Sequence, residues 1–564
     1  MGIFRPNFGW VLCLAIAGFF LWAGAQWIHE HRVGGLVDAD EAVFFAIAIY
    51  NYFVLAKDGV VPWLAAIAGP IQGPVTMVLA TLVYGAAGLE LHYGFYVPLA
   101  LASVAILATF VTVKHIAGSS TAVAAAALTA TVPQILTYSR DFHLSMSATA
   151  VLALAVMAAV KSDRFSKTGW SIAFGVFVGL LPLSRTMAIA FVPGILLGVT
   201  LNIVSSADRG PRVLRAVVAL GIAMLSASTW LAFTWKEVFG YLIGWGYGSH
   251  ALEYGRALPF LSIDTLRRAL EQVAHALFYI HFVLIAAGLL LGMLATCRIL
   301  VHGGWNSVGV AARSPLIVLA STVFFGFAAL MSSPNVGTAF VAPLLPPLVA
   351  LAVCSAWFFL DTKLYRSTVA VVCVVAAGIV ASPFLGVYAV LPKQKVTTLP
   401  LVGFAALSDD RGVIDFYIDA TGRIGRDREG AARWRAVFVR TNDAISAQDE
   451  NAHVANGFRH SLYHPTQLSL DYLLRTGRRR GFIPPDPVYS GNTVDGYRTW
   501  LSTGSAASAK LLLTSPGSEG EPQPFVDNAA IEEAARGLAF VPVDTWAMPN
   551  GRQVTLWKRS EPRP

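Results

Sequence analysis

Long apolar stretches that carry almost no charge constrain the fold of this chain more than any other feature. The first is the segment from Gly9 to Ile28, and similar runs recur up to about residue 386. A run of about 20 apolar residues crosses the hydrocarbon core of a bilayer as one α-helix. Only 13% of the residues are charged, whereas soluble domains carry about 25%. The sequence therefore predicts a polytopic, mainly α-helical integral membrane protein.

The apolar runs predict a bundle of about eleven spanning helices plus interfacial helices. The predicted spans are 9–28, 97–113, 120–137, 145–160, 169–183, 187–204, 215–233, 275–297, 315–332, 338–358 and 367–386. The first run lacks a small-residue cleavage site, so it is interpreted as a retained span. The run 74–88 is shorter than a bilayer crossing requires, which favours an interfacial or re-entrant helix.

Short basic clusters between the spans indicate the orientation of the chain. Placing the N-terminus in the cytoplasm puts every compact basic loop on the cytoplasmic side, as the positive-inside rule requires. The net charge of +8 is thereby explained without a nucleic-acid partner. The other face receives 29–73, the turns at 138–144 and 184–186, the loop 234–274, and the chain after about 387. We expect a multi-pass protein of the plasma or inner membrane.

Residues 387–564 are polar and of mixed charge, unlike the transmembrane domain predicted for residues 1–386. A strand at Lys510–Thr514, a helix at AIEEAARG and a hairpin that turns at 549–551 predict an extracytoplasmic α/β domain. The stretch 515–524 is typical of a flexible loop. The four cysteines show no CxxC spacing, so neither a disulfide framework nor a zinc site is predicted.

The first outer loop carries three carboxylates, Asp38, Asp40 and Glu41, directly before an apolar stretch. Carboxylates at a membrane margin are unfavourable unless they are paired, protonated or bound to a metal. They predict a general base or a metal site, because crowded carboxylates near an apolar surface bind protons more tightly. The alternative is a solvated acidic loop.

Two further outer turns place charges between uncharged spans. The first contains Arg140, Asp141 and His143, and the second contains Arg185. Arginine suits phosphate because its donors form a planar fork, whereas helix capping and membrane anchoring are the alternatives. The loop 234–274 adds aromatic and basic residues, among them Tyr254 and Arg256, which suit either a sugar–phosphate interface or an aromatic belt.

The order of these features resembles the GT-C glycosyltransferase superfamily, in particular the branch of lipid A aminoarabinose transferases and protein O-mannosyltransferases. Asp40-Glu41 resembles the Asp-Glu pair of that family, and Asp141 stands where its second acid is expected. Arg185 resembles the basic residue that ends the Gly-Leu-rich helix. The chain departs from the family at 72–74, where relatives carry His-Pro-Pro, and at 339–340, where they carry Arg-Tyr.

The resemblance implies inverting transfer of a sugar from a polyprenyl-phosphate donor to a hydroxyl of a glycolipid, polysaccharide or protein. Asp40 would be the base, with Glu41 and Asp141 as further catalytic carboxylates. Arg140, Arg185 and Lys57 would hold the phosphate, and His143 could share the role of Asp141. No soluble cofactor is required, although a divalent cation at Asp40, Glu41 and Asp141 is an alternative.

Two other functions fit the same composition. A lipid or polysaccharide transporter of the cell envelope would line a translocation path with these charges. The charged positions instead collect at one face, which favours the enzyme. A scaffold for envelope assembly, anchored by its membrane part, is the third interpretation.

Overall fold

The computed structural model describes residues 6–248, 251, 258–259, 262–335, 337–360, 396–397, 405–406, 428–485, 491–521 and 525–560. The chain forms two compact units. The helical unit comprises Met1–Ile28, Leu64–Leu79 and Gly94–Tyr417, and the mixed unit comprises His29–Trp63, Ala80–Tyr93 and Ile418–Pro564. The predicted span 367–386 and the domain boundary after residue 386 lie outside the described residues.

Fourteen α-helices occupy the described chain up to residue 360. They are α1 Pro6–His31, α2 Ala39–Asp58, α3 Val60–Ala68, α4 Val75–Ala87, α5 Tyr96–Ala117, α6 Ser119–Thr131, α7 Pro133–Tyr138, α8 Ser145–Lys161, α9 Thr168–Ser184, α10 Val192–Val204, α11 Arg209–Gly246, α12 Ile263–Arg313, α13 Leu316–Ser332 and α14 Leu345–Phe359. Short 3-10 segments lie at Leu91–Phe95, Thr186–Phe191, Thr338–Phe340 and Ala342–Leu344. The prediction of a mainly helical chain is confirmed.

Seven helical segments in the described residues are long and apolar enough to cross a membrane, judged by length and composition. They are Phe8–His31, Ala39–Asp58, Leu91–Ala117, Thr186–Val204, Arg209–Gly246, His281–His302 and Ala342–Phe359. Four apolar helices are shorter: Val75–Ala87, Ser145–Lys161, Thr168–Ser184 and Leu316–Ser332. The number of crossings therefore differs from the predicted eleven by this criterion.

Three predicted boundaries differ from the structure. The span predicted at 120–137 is two helices, α6 and α7, because Pro133 cannot continue a helix and holds Val132 in an extended conformation. The loop predicted from residue 234 begins only after Gly246, where α11 ends. The first outer loop is short, because α2 already begins at Ala39.

Small residues allow the helices of the helical unit to pack closely. A β-carbon at Gly175 or Gly179 of α9 would clash with the backbone of Ala219 or Ala223 of α11. Such close approach of small residues is how helices associate where no hydrophobic effect drives them together.

The mixed unit contains a five-stranded sheet. Its strands are β3 Val454–Asn456, β4 Phe482–Ile483, β5 Leu511–Thr514, β6 Phe540–Ala547 and β7 Gln553–Arg559. They lie in the order β4-β3-β5-β7-β6. Strand β3 is parallel to β4 and β5, whereas β7 is antiparallel to β5 and β6. In the helical unit, a separate antiparallel pair joins β1 Val396–Thr397 and β2 Ala405–Ala406.

Four helices accompany the sheet: α15 Arg428–Gln448, α16 Pro465–Thr476, α17 Val494–Ser502 and α18 Asn528–Gly537. Two apolar clusters form, one around Trp434 and Tyr463 and the other around Trp500 and Ile531. The predicted α/β character, with the strand at 511–514, the helix over AIEEAARG and the C-terminal hairpin, is confirmed. The described part of the loop 515–524 is anchored by Arg552, which donates to three of its carbonyls and pairs with Glu521.

Candidate active site

The acidic loop before α2, in the mixed unit, ends in a capping box that fixes two of its carboxylates. The Asp38 carboxylate accepts a hydrogen bond from the Glu41 backbone N–H at 2.7 Å, and the Glu41 carboxylate accepts one from the Asp38 N–H at 3.0 Å. This reciprocal pair satisfies donors that a helix start otherwise leaves unpaired. The acidic sequence Asp38 to Glu41 therefore begins α2 and is not a solvated, irregular loop.

Glu41 is buried and forms an ion pair with Arg32. The Arg32 Nη2 group donates to both carboxylate oxygens of Glu41, whose side chain is only 1% exposed. A buried carboxylate needs such a cation, because removal from water penalises the charged form. The two oxygens of Glu41 are thus engaged in holding the loop.

Asp38 and Asp40 lie in different environments. Burial, followed by the charge of the neighbouring Glu41, raises the pKa of Asp38 to about 8. The side chain of Asp40, by contrast, is exposed. Of the two catalytic residues predicted in this loop, Asp40 is therefore the accessible carboxylate, and Glu41 is suited to orienting it.

Side chains of α16 hold the backbone of the same loop. Thr466 Oγ1 donates to the Ala39 carbonyl at 3.0 Å, and Gln467 Nε2 donates to the Val37 carbonyl. Gln467 is buried. These contacts join positions about 430 residues apart in sequence, all within the mixed unit.

Helix α15 contributes a second set of contacts. Arg435 Nη2 donates to the Gly35 carbonyl at 2.6 Å. Leu36 is 8% exposed and belongs to the apolar cluster that contains Trp434 and Phe438. The loop is therefore part of the core of the C-terminal fold.

In the helical unit, the turn after α7 carries Arg140, Asp141 and His143. Arg140 is 3% exposed, and its guanidinium lies over the Trp27 ring, 5.1 Å from the ring centroid. Burial lowers the pKa of Arg140 to about 9, so the group is still protonated at neutral pH. Asp141 is half-buried beside it.

Ser145 links His143 to Arg185. Arg185 Nη1 donates to Ser145 Oγ at 2.9 Å, and Ser145 Oγ lies 2.8 Å from His143 Nδ1. The Ser145 N–H also donates to that nitrogen, so Nδ1 is an acceptor and the imidazole carries its proton on Nε2. Burial, followed by the charge of Arg185, holds the pKa of His143 well below its ordinary value.

Arg185 is also bound by the segment before the proline-rich helix. Its Nη1 donates to the Ala339 carbonyl at 3.1 Å, and its guanidinium lies 4.6 Å from the centroid of the Phe340 ring. These are the two positions at which the family that the sequence resembles carries an Arg-Tyr pair. Here they contact the arginine through a backbone oxygen and an aromatic face.

Gly73 lies in the segment 72–74, where the family that the sequence resembles carries His-Pro-Pro. A β-carbon at this position would lie 2.5 Å from the Leu183 carbonyl oxygen and 2.9 Å from the Arg185 nitrogen. Thr186 Oγ1 donates to the Ile71 carbonyl at 2.8 Å. The backbone of the Arg185 turn thus packs directly against the segment 71–73, and only glycine fits there.

The structure brings Arg185 and His143 together through Ser145, and it places Arg140 and Asp141 in the same turn as His143. Asp40, Glu41 and Lys57 all belong to α2 of the mixed unit. Tyr254 and Arg256 lie outside the described residues. Sequence reasoning missed Arg32, Ser145 and Gln467. The signal that was available for Ser145 is its place two residues after His143.

Comparison with solved structures finds ArnT from Cupriavidus metallidurans in the apo state, with a TM-score of 0.53, 14% identity and 98% of each chain covered. The same protein bound to undecaprenyl phosphate gives a TM-score of 0.51 and 13% identity, covering 97% of this chain and 98% of that one. The arabinofuranosyltransferase AftD from Mycobacteria gives 0.53 and 12% identity, covering 100% of this chain and 40% of that one.

Comparison of the sequence with family models and with curated proteins finds no match. The resemblance therefore rests on the structure, and it extends over nearly the whole length of ArnT. Together with the apolar helices, it indicates a multi-pass membrane protein. The chain has the fold of the GT-C glycosyltransferases.

Proposed function

We propose that the protein is a membrane glycosyltransferase that moves a sugar from a polyprenyl-phosphate donor to an acceptor hydroxyl on the extracytoplasmic face. The proposal rests on the fold similarity to ArnT over 98% of both chains. A second structure of ArnT is a complex with undecaprenyl phosphate. A glycolipid, a polysaccharide or a protein would supply the hydroxyl.

Asp40 would act as the general base. Its carboxylate takes the proton of the acceptor hydroxyl while the hydroxyl oxygen bonds to the anomeric carbon from the side opposite the phosphate. The bond between that carbon and the phosphate oxygen breaks, and polyprenyl phosphate leaves with the electron pair. The anomeric configuration is thereby inverted. The exposure of Asp40 and the fixed position of Glu41 support this division of roles.

Arg140 and Arg185 would stabilise the phosphate as it leaves. A fixed guanidinium in a site of low polarity stabilises developing negative charge without having to reorganise. The hydrogen bonds of Arg185 to Ser145 and Ala339 support such a fixed geometry. His143 stays neutral beside this charge and would position Ser145, while Asp141 would help to orient the acceptor.

The transfer needs no soluble cofactor. A divalent cation at Asp40, Glu41 and Asp141 is the alternative, since hard oxygen ligands suit magnesium or manganese. The engagement of both Glu41 oxygens by Arg32 supports the metal-free version. Activity that persists in excess EDTA would agree with it, and activity restored only by added manganese would contradict it.

The proposed orientation places the C-terminal domain outside the cytoplasm of a plasma or inner membrane. A reporter that is active only in the cytoplasm, fused after Pro564, should be silent, whereas the same reporter fused after Lys161 in a predicted cytoplasmic loop should be active. The reverse pattern would put the acidic loop inside and remove the extracytoplasmic reaction.

The direct test is incubation of the detergent-purified protein with polyprenyl-phosphate sugars and candidate acceptors. We expect release of polyprenyl phosphate together with transfer of the sugar, and the Asp40→Asn variant serves as the inactive control. Lipid flux in proteoliposomes that contain no donor sugar, without any release of phosphate, would favour a transporter instead.

A further inference from the structure

One face of α2, away from its capped start, presents two aromatic rings and a lysine. Tyr50, Phe53 and Lys57 follow the i, i+3, i+7 spacing that places side chains on one face of a helix. Lys57 Nζ lies 5.1 Å from the centroid of the Phe53 ring. The side chain of Lys57 is exposed, so its charge remains accessible.

The turn after α16 brings a second cation to this face. Gly477 ends α16 in the left-handed conformation, with φ +70°, and a β-carbon there would lie only 3.1 Å from Lys57 Nζ. Two residues later, Arg479 Cζ lies 3.8 Å from the centroid of the Tyr50 ring. Because Tyr50 and Phe53 are separated by about 4.5 Å along the helix axis, the two cations occupy neighbouring positions.

The arginines on either side of Arg479 are engaged elsewhere. Arg478 Nη1 forms an ion pair with Glu450 at 2.9 Å, and Arg480 donates to Asn442 and Ser446. Within the described residues, no carboxylate lies at ion-pair distance from Lys57 or Arg479. A guanidinium stacked on a ring keeps its N–H edge available for oxygen acceptors.

Apolar surface adjoins these two cations. Val60 and Val61, just beyond the end of α2, are 58% and 78% exposed, and α3 contains no buried residue. A cationic group beside an exposed apolar helix is typical of a segment that lies in the lipid headgroup region. The acyl chains of a lipid would contact Val60 and Val61 while its phosphate faces the cations.

We propose that Lys57 and Arg479 form a binding site for the phosphate of an anionic lipid. The oxygens of the phosphate ester accept hydrogen bonds from the edge of the Arg479 guanidinium and from Lys57 Nζ. The same chemistry is offered by an anionic phospholipid of the bilayer and by a polyprenyl phosphate. The site would bind lipid whether or not the protein transfers sugar.

Native mass spectrometry of the full chain in a neutral detergent can test this site. The probes are dioleoyl phosphatidylglycerol, undecaprenyl phosphate and, as the uncharged reference, dioleoyl phosphatidylcholine. We expect the double variant Lys57→Ala/Arg479→Ala to bind the anionic probes roughly thirtyfold more weakly, since each basic residue at a membrane surface contributes about 1 kcal/mol. Binding of phosphatidylcholine should not change.

The control variant Arg478→Ala/Lys510→Ala also removes one arginine and one lysine, but from exposed positions of the mixed unit outside the proposed site. It should keep the affinity for both anionic probes within about twofold, and Lys57→Arg/Arg479→Lys should do the same. Weaker binding of undecaprenyl phosphate alone identifies a polyprenyl phosphate as the ligand, and weaker binding of phosphatidylglycerol alone identifies a bilayer phospholipid. Weaker binding of both probes supports a site that accepts either lipid. Unchanged binding by the alanine pair, or an equal loss in the control, would overturn the proposal.

Discussion

The acidic loop before α2 and the Arg185 turn show two different ways of fixing a charged group. In the mixed unit, the Glu41 carboxylate is neutralised by Arg32, and the loop backbone is held by Gln467 from 430 residues away. In the helical unit, Arg185 donates to two neutral acceptors, Ser145 and Ala339. The acidic group is thus anchored by charge and by a separate fold, whereas the basic group is anchored by the bundle itself.

This difference has consequences for mutation. Mutations in the C-terminal fold should affect the acidic loop, because Arg435, Thr466 and Gln467 of that fold donate hydrogen bonds to backbone carbonyls of the loop. The described hydrogen bonds of Arg185, to Ser145 and Ala339, lie within the helical unit, so such changes should affect the Arg185 turn less. The following predictions test this contrast, beginning with the largest effect.

Removing the cation of the buried pair should have the largest effect. Arg32→Met leaves Glu41 buried without the guanidinium and should destabilise the start of α2 by about 3–5 kcal/mol. Hydrogen exchange of the amides at Asp40 to Ala42 measures the loss. The double variant Arg32→Met/Glu41→Gln should recover much of the protection, and protection unchanged in the single variant would refute the structural role of the pair.

Removing the proposed base should abolish most turnover while the protein remains folded. Asp40→Asn keeps the shape of the side chain but cannot accept the proton, so turnover should fall by about a hundredfold or more. Glu41→Gln should reduce turnover less, because that residue orients the loop. Near-normal transfer by Asp40→Asn would make Asp141 or His143 the better candidate for the base.

Removing the arginine of the helical unit should weaken use of the donor. Arg185→Ala should reduce transition-state stabilisation by about 1–3 kcal/mol, the value of a charge-assisted hydrogen bond. Arg185→Lys keeps the charge but loses the planar fork, so it should restore only part of the activity. Kinetics with varied donor concentration measure both variants. An unchanged dependence on donor would reduce Arg185 to a membrane anchor.

A substitution in α16 of the C-terminal fold should affect the acidic loop before α2. Gln467→Ala leaves the Val37 carbonyl without its donor and should lower turnover severalfold, equivalent to about 1 kcal/mol, with the donor KM little changed. Gln448→Ala removes an exposed contact with Lys558 and serves as the matched control. Equal effects of the two variants would show that the loop does not depend on α16.

Low pH should destabilise the segment around His460 that leads into α16. Burial, followed by the charge of Arg552, lowers the pKa of His460 to about 4, so the folded protein holds this imidazole neutral. The stability that this neutral imidazole contributes is complete above about pH 6.5, the ordinary pKa of histidine in the unfolded chain. It is lost as the pH falls towards 4, by about 1.4 kcal/mol at pH 5.5.

Hydrogen exchange of residues 457–468 between pH 7 and pH 5 can measure this loss after correction for the intrinsic rate. His460→Gln keeps an acceptor for the Leu462 and Tyr463 N–H groups and should flatten the dependence on pH. A slope that is the same in both proteins would assign the effect to another group, such as His464, whose pKa burial also lowers to about 4.

The sequence by itself determined the features that depend on neighbouring residues. Apolar runs of helical length predicted the bundle, and the turn residues at 549–551 predicted the hairpin. Run length and turn signals depend on residues that are neighbours in sequence, so one sequence is enough to reveal them.

Only the tertiary structure distinguished Asp40, which is exposed, from Glu41, which is paired with Arg32, and only it placed Ser145 between His143 and Arg185. It also brought Arg479 to Tyr50 and Gly477 to Lys57. These contacts join residues far apart along the chain, and their geometry follows from how helices and the sheet pack. No local pattern encodes that packing, because burial and pairing are set by the whole fold.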